Sequence, residues 1–278
     1  ASRGNGTVAD LCKLFKDAGS DLATHLSVPG RIERNPGLFT QTYLTQTYKY
    51  IVASPQYTVY TRAYNPDGTP KPGNVFSSAA EVEQVINYLV NSRYANKVDL
   101  RRIYLVGYSS GANMIIEYAG SSVARAKRIA AIMPVSLCSQ LNHQSNTSAG
   151  ITASNIAKAG LKTWFVYCTN DNCGINPPLN VPQNWVTGIK AAGGATPRLT
   201  MLTKTIPRGL YSCSDTLAHD TWSRAFDPNF KASFVGNGNV SNANDGINKN
   251  MYEWFTQQLS ATLPVTLKSF TAKFAGNK

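Results

Sequence analysis

Three apolar runs, at residues 102–107, 129–135 and 161–168, constrain this chain more than any other feature in it. Each is short, rich in β-formers and continuous rather than alternating, which suits a strand covered on both faces. Runs at 49–54 and 198–206 share the β-forming character. Helical patterns lie between them. Ser78 and Glu81 have capping-box spacing, and Val82, Val85, Ile86 and Leu89 then fall on one stripe. Further helices are predicted over 8–18, 112–119, 183–192 and 249–259. Parallel neighbours need a long crossover, so strand alternating with helix predicts a mostly parallel sheet with right-handed connections. The expected fold class is α/β, in three layers.

Composition narrows what such a fold can serve. With 278 residues, 42% hydrophobic and 15% charged, the chain can bury one large core. No apolar run approaches the roughly 18 residues that cross a bilayer, so no membrane span is expected. The formal charge of +12 raises the question of a nucleic-acid partner. Its basic residues are dispersed, however. The densest cluster (Arg93, Lys97, Arg101, Arg102) merely precedes a predicted strand and reads as a solvated surface, with no nucleic-acid motif beside it. Five cysteines (Cys12, Cys138, Cys168, Cys173, Cys213) supply no set of zinc ligands, so no metal is expected. One or two disulfides with a thiol left over suit an exported or cell-surface protein. The first residues carry no signal-peptide pattern, which places any export signal outside this chain.

Chemistry is concentrated at Gly107-Tyr108-Ser109-Ser110-Gly111, which fits G-x-S-x-G. That pattern alone is weak. Here it stands between an apolar strand (Ile103-Tyr104-Leu105-Val106) and a helix former (Ala112-Asn113-Met114-Ile115-Ile116), the order a nucleophile elbow requires. Glycines at both ends are expected to relieve crowding in the tight turn, and the Ser110 backbone N–H is the candidate oxyanion donor. A serine hydroxyl needs a base, and only His25, His143 and His219 exist. In this arrangement the chain order is serine, acid, histidine. Between Ser109 and His143 the only acid is Glu117, on the elbow helix itself, and His25 precedes the elbow. His219 remains. The acid is Asp171 or Asp215. Asp171 follows the apolar run at 161–168 and is favoured, because Asp215 stands only four residues before His219. Tyr108 and Trp222, next to the triad in sequence, are candidate substrate contacts for an aromatic acyl group. Packing beside the elbow explains them equally well. The polar stretch 140–154 is expected to cap the edge of the cleft. A bridge from Cys173 to Cys213 would tie the acid and histidine loops together, and Cys138–Cys168 is a second candidate pair.

Taken together, these residues resemble the esterase branch of the α/β-hydrolases that holds polyhydroxybutyrate-depolymerase-like, feruloyl-esterase-like and predicted-peptidase sequences. Asp99 through Gly111 resembles that group's Asp-x-x-Arg-Ile-Tyr-x-x-Gly-x-Ser-x-Gly block. Residues 163–171 resemble its acid strand, with Tyr167-Cys168 where His-Gly is usual. His219-Asp220-Thr221-Trp222 resembles its histidine motif, and Tyr252-Glu253-Trp254 its closing helix. Arg3-Gly4-Asn5-Gly6-Thr7 resembles the stretch just after the family's oxyanion loop, although the His-Gly of that loop is absent. This departure points either to a clipped N-terminus or to a member lacking the early strands, and it leaves the second oxyanion donor unassigned.

The resemblance implies serine-dependent cleavage of a carboxylic ester, without a metal or organic cofactor. The expected substrate is a plant-wall carbohydrate ester, feruloyl or acetyl, carried on a small molecule or a polymer. A polyester is the second candidate, and a non-catalytic surface-binding module the reading from a different class. The hydrolase domain is expected over 1–259. From residue 260 the alternating Leu263-Pro264-Val265-Thr266-Leu267 stretch resembles the opening strand of a fibronectin-III-like module, giving an accessory domain from 260–278 onward.

Overall fold

The computed structural model describes residues 36–55, 79–138, 152–168, 171, 181–202, 221–230, 239–241 and 249–260. In chain order the elements begin with a hairpin of β1 (Thr40–Tyr43) and β2 (Gln46–Lys49) and the helix α1 (Ala79–Tyr88). Strand β3 (Tyr104–Tyr108), helices α2 (Ser110–Ser121) and α3 (Val123–Lys127), and strand β4 (Ala131–Val135) follow. Next come α4 (Ala153–Ala159), β5 (Lys162–Cys168), α5 (Val181–Ala191) and β6 (Arg198–Leu202). The last are α6 (Trp222–Ala225), β7 (Asn239–Ser241) and α7 (Met251–Thr256). The predicted helix at 8–18 and the tail from 261 lie outside the described residues.

Strands β3, β4, β5, β6 and β7 form one sheet in that order, the first four parallel and β7 antiparallel. The inner strands are covered on both faces, as their unbroken apolar runs require. Side chains alternate between two cores. Ile132, Phe165 and Tyr167 face one, shared with α1, α2, α4 and α5. Met133, Val135, Trp164 and Val166 face the other, shared with α6 and α7. Two helical layers around a mostly parallel sheet make the predicted three-layer α/β fold. Pro134 has no N–H to donate, and the pairing of β4 with β5 is interrupted at positions 133 and 134. Among the described residues, no helix is long and apolar enough to cross a membrane.

Four local expectations need correction. The run at 49–54 forms no strand of the sheet. Instead β1 and β2 make a separate antiparallel hairpin, with Leu44 at a φ of 56° in its turn. Tyr50 then anchors the following segment: its hydroxyl donates to the Tyr252 carbonyl and shares a hydrogen bond with the Thr256 hydroxyl. The stretch 236–250, rich in Gly and Asn, reads as a loop in the sequence, yet its residues 239–241 pair with β6 as an edge strand. The supposed cleft cap at 140–154 ends inside α4, which begins at Ala153 behind a Thr152 cap and stops at Gly160, whose φ is 66°. Residues 140–151 of that stretch lie outside the described residues.

The fourth correction concerns charge. Arg102 is not part of a solvated basic surface. Its guanidinium lies 4.1 Å from the centre of the Tyr48 ring and donates to the Thr256 carbonyl and the Tyr48 hydroxyl, while Asp99 stands 3.3 Å away. A planar cation that stacks and donates at once joins the hairpin, α7 and the start of β3. A second bracket holds the opposite layer, where Glu83 on α1 accepts from both Arg125 and Arg128.

Candidate active site

Ser109 sits between β3 and α2 with φ 54° and ψ −118°, a conformation that L-residues other than glycine rarely adopt. Its N–H donates to the Val135 carbonyl of the neighbouring strand, and its own carbonyl accepts from Asn113 in the first turn of α2. The chain thus reverses within one residue from strand to helix, lifting the side chain at the carboxyl edge of the sheet. Gly107 makes this possible. A Cβ there would stand 2.2 Å from the Gly111 carbonyl oxygen and 2.8 Å from the Ala112 nitrogen. Gly111 itself differs from expectation, because a Cβ at that position meets nothing within 4 Å. Crowding therefore fixes the first glycine of the motif and leaves the second free of it. Ser110 is the first residue of α2, so its N–H belongs to the turn whose donors have no intrahelical acceptor. This is the strand–turn–helix geometry of a nucleophile elbow.

Asp171 lies three residues beyond β5 and is buried, with 8% of its surface exposed. Its N–H donates to the carbonyl of Cys168, the last residue of that strand. Because β3, β4 and β5 are parallel and adjacent, Ser109 and Asp171 emerge at the same edge of the sheet. Glu117 is no rival. It lies eight residues along α2 from Ser109, about 12 Å at 1.5 Å per residue, and burial pushes its carboxyl up to about 7.

His219 lies outside the described residues, as do His25, His143 and Asp215. The described chain resumes at Thr221. Thr221, two residues after His219, is buried, and its hydroxyl is hydrogen-bonded to that of Ser136. Ser136 directly follows Val135, the residue whose carbonyl receives the Ser109 N–H. Trp222, next along, tilts against Tyr108 with ring centres 6.2 Å apart. Both rings are half-buried and also pack on the core beneath the elbow, so core packing accounts for part of their role. Cys138 and Cys168 lie at the same edge, with the Cys138 Sγ 3.4 Å from the Ser136 carbonyl oxygen. The proposed Cys173–Cys213 bridge falls outside the described residues. Sequence reasoning missed Ser136, whose buried hydroxyl and φ of 49° follow from no motif.

A mostly parallel sheet, helices on both faces and a strained serine at the strand-to-helix turn define an α/β-hydrolase fold. No known family description matches the chain, and no curated protein matches it. Solved structures do match, among them a crystal structure of a thermostable esterase at 17% identity and a TM-score of 0.40. That match covers 65% of this chain and 36% of the esterase, so the chain spans about a third of its length. So distant a likeness carries no argument about activity. The fold assignment rests on strand order and on the elbow.

Proposed function

We propose that the chain is a serine ester hydrolase in which Ser109 is the nucleophile, His219 the base and Asp171 the orienting acid. The observation that carries the reading is the strained Ser109 turn, which shares one sheet edge with buried Asp171 and with the Ser136–Thr221 contact beside His219. Holding a serine in that conformation costs roughly 1–3 kcal/mol, which a merely structural turn could avoid with glycine. In the reaction, His219 takes the Ser109 proton as the oxygen attacks the ester carbonyl. The Ser110 N–H stabilises the developing oxyanion. The protonated imidazole then gives its proton to the departing alcohol, and water frees the acyl group by the same route in reverse. No step calls for a metal or organic cofactor.

For the substrate we favour a carbohydrate ester bearing a feruloyl or acetyl group, acted on outside the cell. The half-buried Tyr108 and Trp222 rings, tilted against each other next to the elbow, would offer an aromatic acyl group apolar ring surface. Disulfides among the five cysteines, as the sequence predicts, would suit an oxidising compartment. An accessory module continuing from residue 260 would bring such an enzyme to a polymeric substrate. Methyl ferulate, acetylated xylan and a polyester film, each compared with a Ser109→Ala blank, separate the classes. The reading predicts Ser109-dependent release from methyl ferulate or acetylated xylan at rates at least about tenfold above the polyester. Faster release from the film would move the assignment to polyester hydrolysis. Release that persists in Ser109→Ala would remove the nucleophile.

A further inference from the structure

Ser136 stands at the end of β4 in a conformation its sequence does not explain. It is fully buried, its φ is 49°, and its N–H donates to the Val166 carbonyl of the adjacent strand. Two neighbouring parallel strands thus each end in a serine at positive φ, Ser109 after β3 and Ser136 after β4. A glycine would meet the backbone demand at 136 without strain. What glycine lacks is the hydroxyl, and the Ser136 hydroxyl is hydrogen-bonded to that of Thr221. Thr221 is itself 3% exposed and precedes α6, where its carbonyl accepts the Ala225 N–H. It is therefore fixed on both sides, to the sheet edge by its hydroxyl and to α6 by its backbone. Across two peptide units the covalent chain limits residues 219 and 221 to about 7 Å between their Cα atoms.

We propose that Ser136 and Thr221 are a positioning pair, a buried hydroxyl–hydroxyl link that sets where the His219 segment meets the Ser109 elbow. The inference rests on the triad assignment above and deepens it. The route is short: Ser109 is bonded through its N–H to Val135, Val135 is covalently joined to Ser136, and Ser136 is bonded to Thr221. Neither hydroxyl needs to touch the substrate. Their effect is on the distance between imidazole and Ser109 oxygen, where a shift of about 1 Å lowers turnover by up to about a hundredfold.

The test compares Ser136→Ala, Thr221→Val, their combination and Thr221→Ser, using ester turnover and the rate of Ser109 labelling by a fluorophosphonate. Turnover is expressed per labelled Ser109, so that unfolded chains do not count. Each hydroxyl deletion is expected to lower kcat and the labelling rate by about ten- to a hundredfold, with KM within about threefold. The double variant should be no slower than the worse single one, because both remove the same link. Thr221→Ser keeps the hydroxyl and should retain most of the rate. Single variants within twofold of the parent, or losses that multiply in the double variant, would overturn the pairing while leaving the triad standing. Absence of any Ser109 labelling in the parent chain would overturn the hydrolase reading, and this inference with it.

Discussion

Chains carrying His219→Ala are expected to turn over ester about four to six orders of magnitude more slowly than the parent, and Asp171→Asn about four orders. The two losses should not multiply, since each disables one proton-transfer unit. The size follows from chemistry. An unassisted serine hydroxyl is a poor nucleophile near neutral pH, and without a base the attack has nowhere to send its proton. In the proposed triad Asp171 acts one step removed, to hold the reactive imidazole tautomer and stabilise its charged form. Its place just after β5, buried and bonded through its N–H to the strand's last carbonyl, suits that task. Asp215→Asn is the discriminating control and should leave kcat within about threefold. A large loss there, with Asp171→Asn near parental activity, would transfer the acid's role to position 215. Steady-state kinetics on a soluble ester reads all three.

The second large effect concerns folding. Gly107→Ala places a methyl group 2.2 Å from one backbone oxygen and 2.3 Å from its carbon, neither of which belongs to a flexible side chain. Relief requires β3 and α2 to separate. That helix buries Ile116, Tyr118 and Ala119 completely in the core it shares with α1 and α4. The expected cost is about 4 kcal/mol or more, in the range where a domain of ordinary stability ceases to fold. Gly111→Ala, in the same motif, meets open space at an unremarkable φ. It should be neutral or stabilising by up to about 1 kcal/mol, because alanine costs a helix less than glycine. Urea unfolding of the two variants side by side reads the contrast. Equal destabilisation would mean that the close approach at Gly107 is not what holds the elbow.

How legible this architecture is in the sequence depends on which atoms hold each part. Strands β4 and β5 stand out because apolar side chains facing both cores leave an unbroken run. The elbow is readable because backbone crowding at residue 107 dictates a residue type. Where backbone alone makes the structure, the signal fades. β7 rests on pairing between Asn239-Val240-Ser241 and β6, within a Gly- and Asn-rich segment that looks like a loop. The β1–β2 hairpin repeats Thr-Gln-Thr-Tyr with no apolar alternation, and its turn uses Leu44 at positive φ instead of glycine or asparagine. Other signals are local side-chain caps. Asn250 and Glu253 form a full capping box at the start of α7, and Thr152 with Gly160 brackets α4. At the candidate site, Ser109 and Asp171 follow from motif and order. Ser136 does not, because its role depends on a partner 85 positions away in the chain.

One measurement bears on all of this most directly: the location of a fluorophosphonate adduct in the folded protein, found by digestion and mass analysis of the labelled peptide. If the elbow presents an activated oxygen, a single phosphonyl group forms at residue 109 and disappears when the imidazole at residue 219 is removed. A protein that stays unmodified while folded, or that takes the label on another side chain, contradicts the assignment.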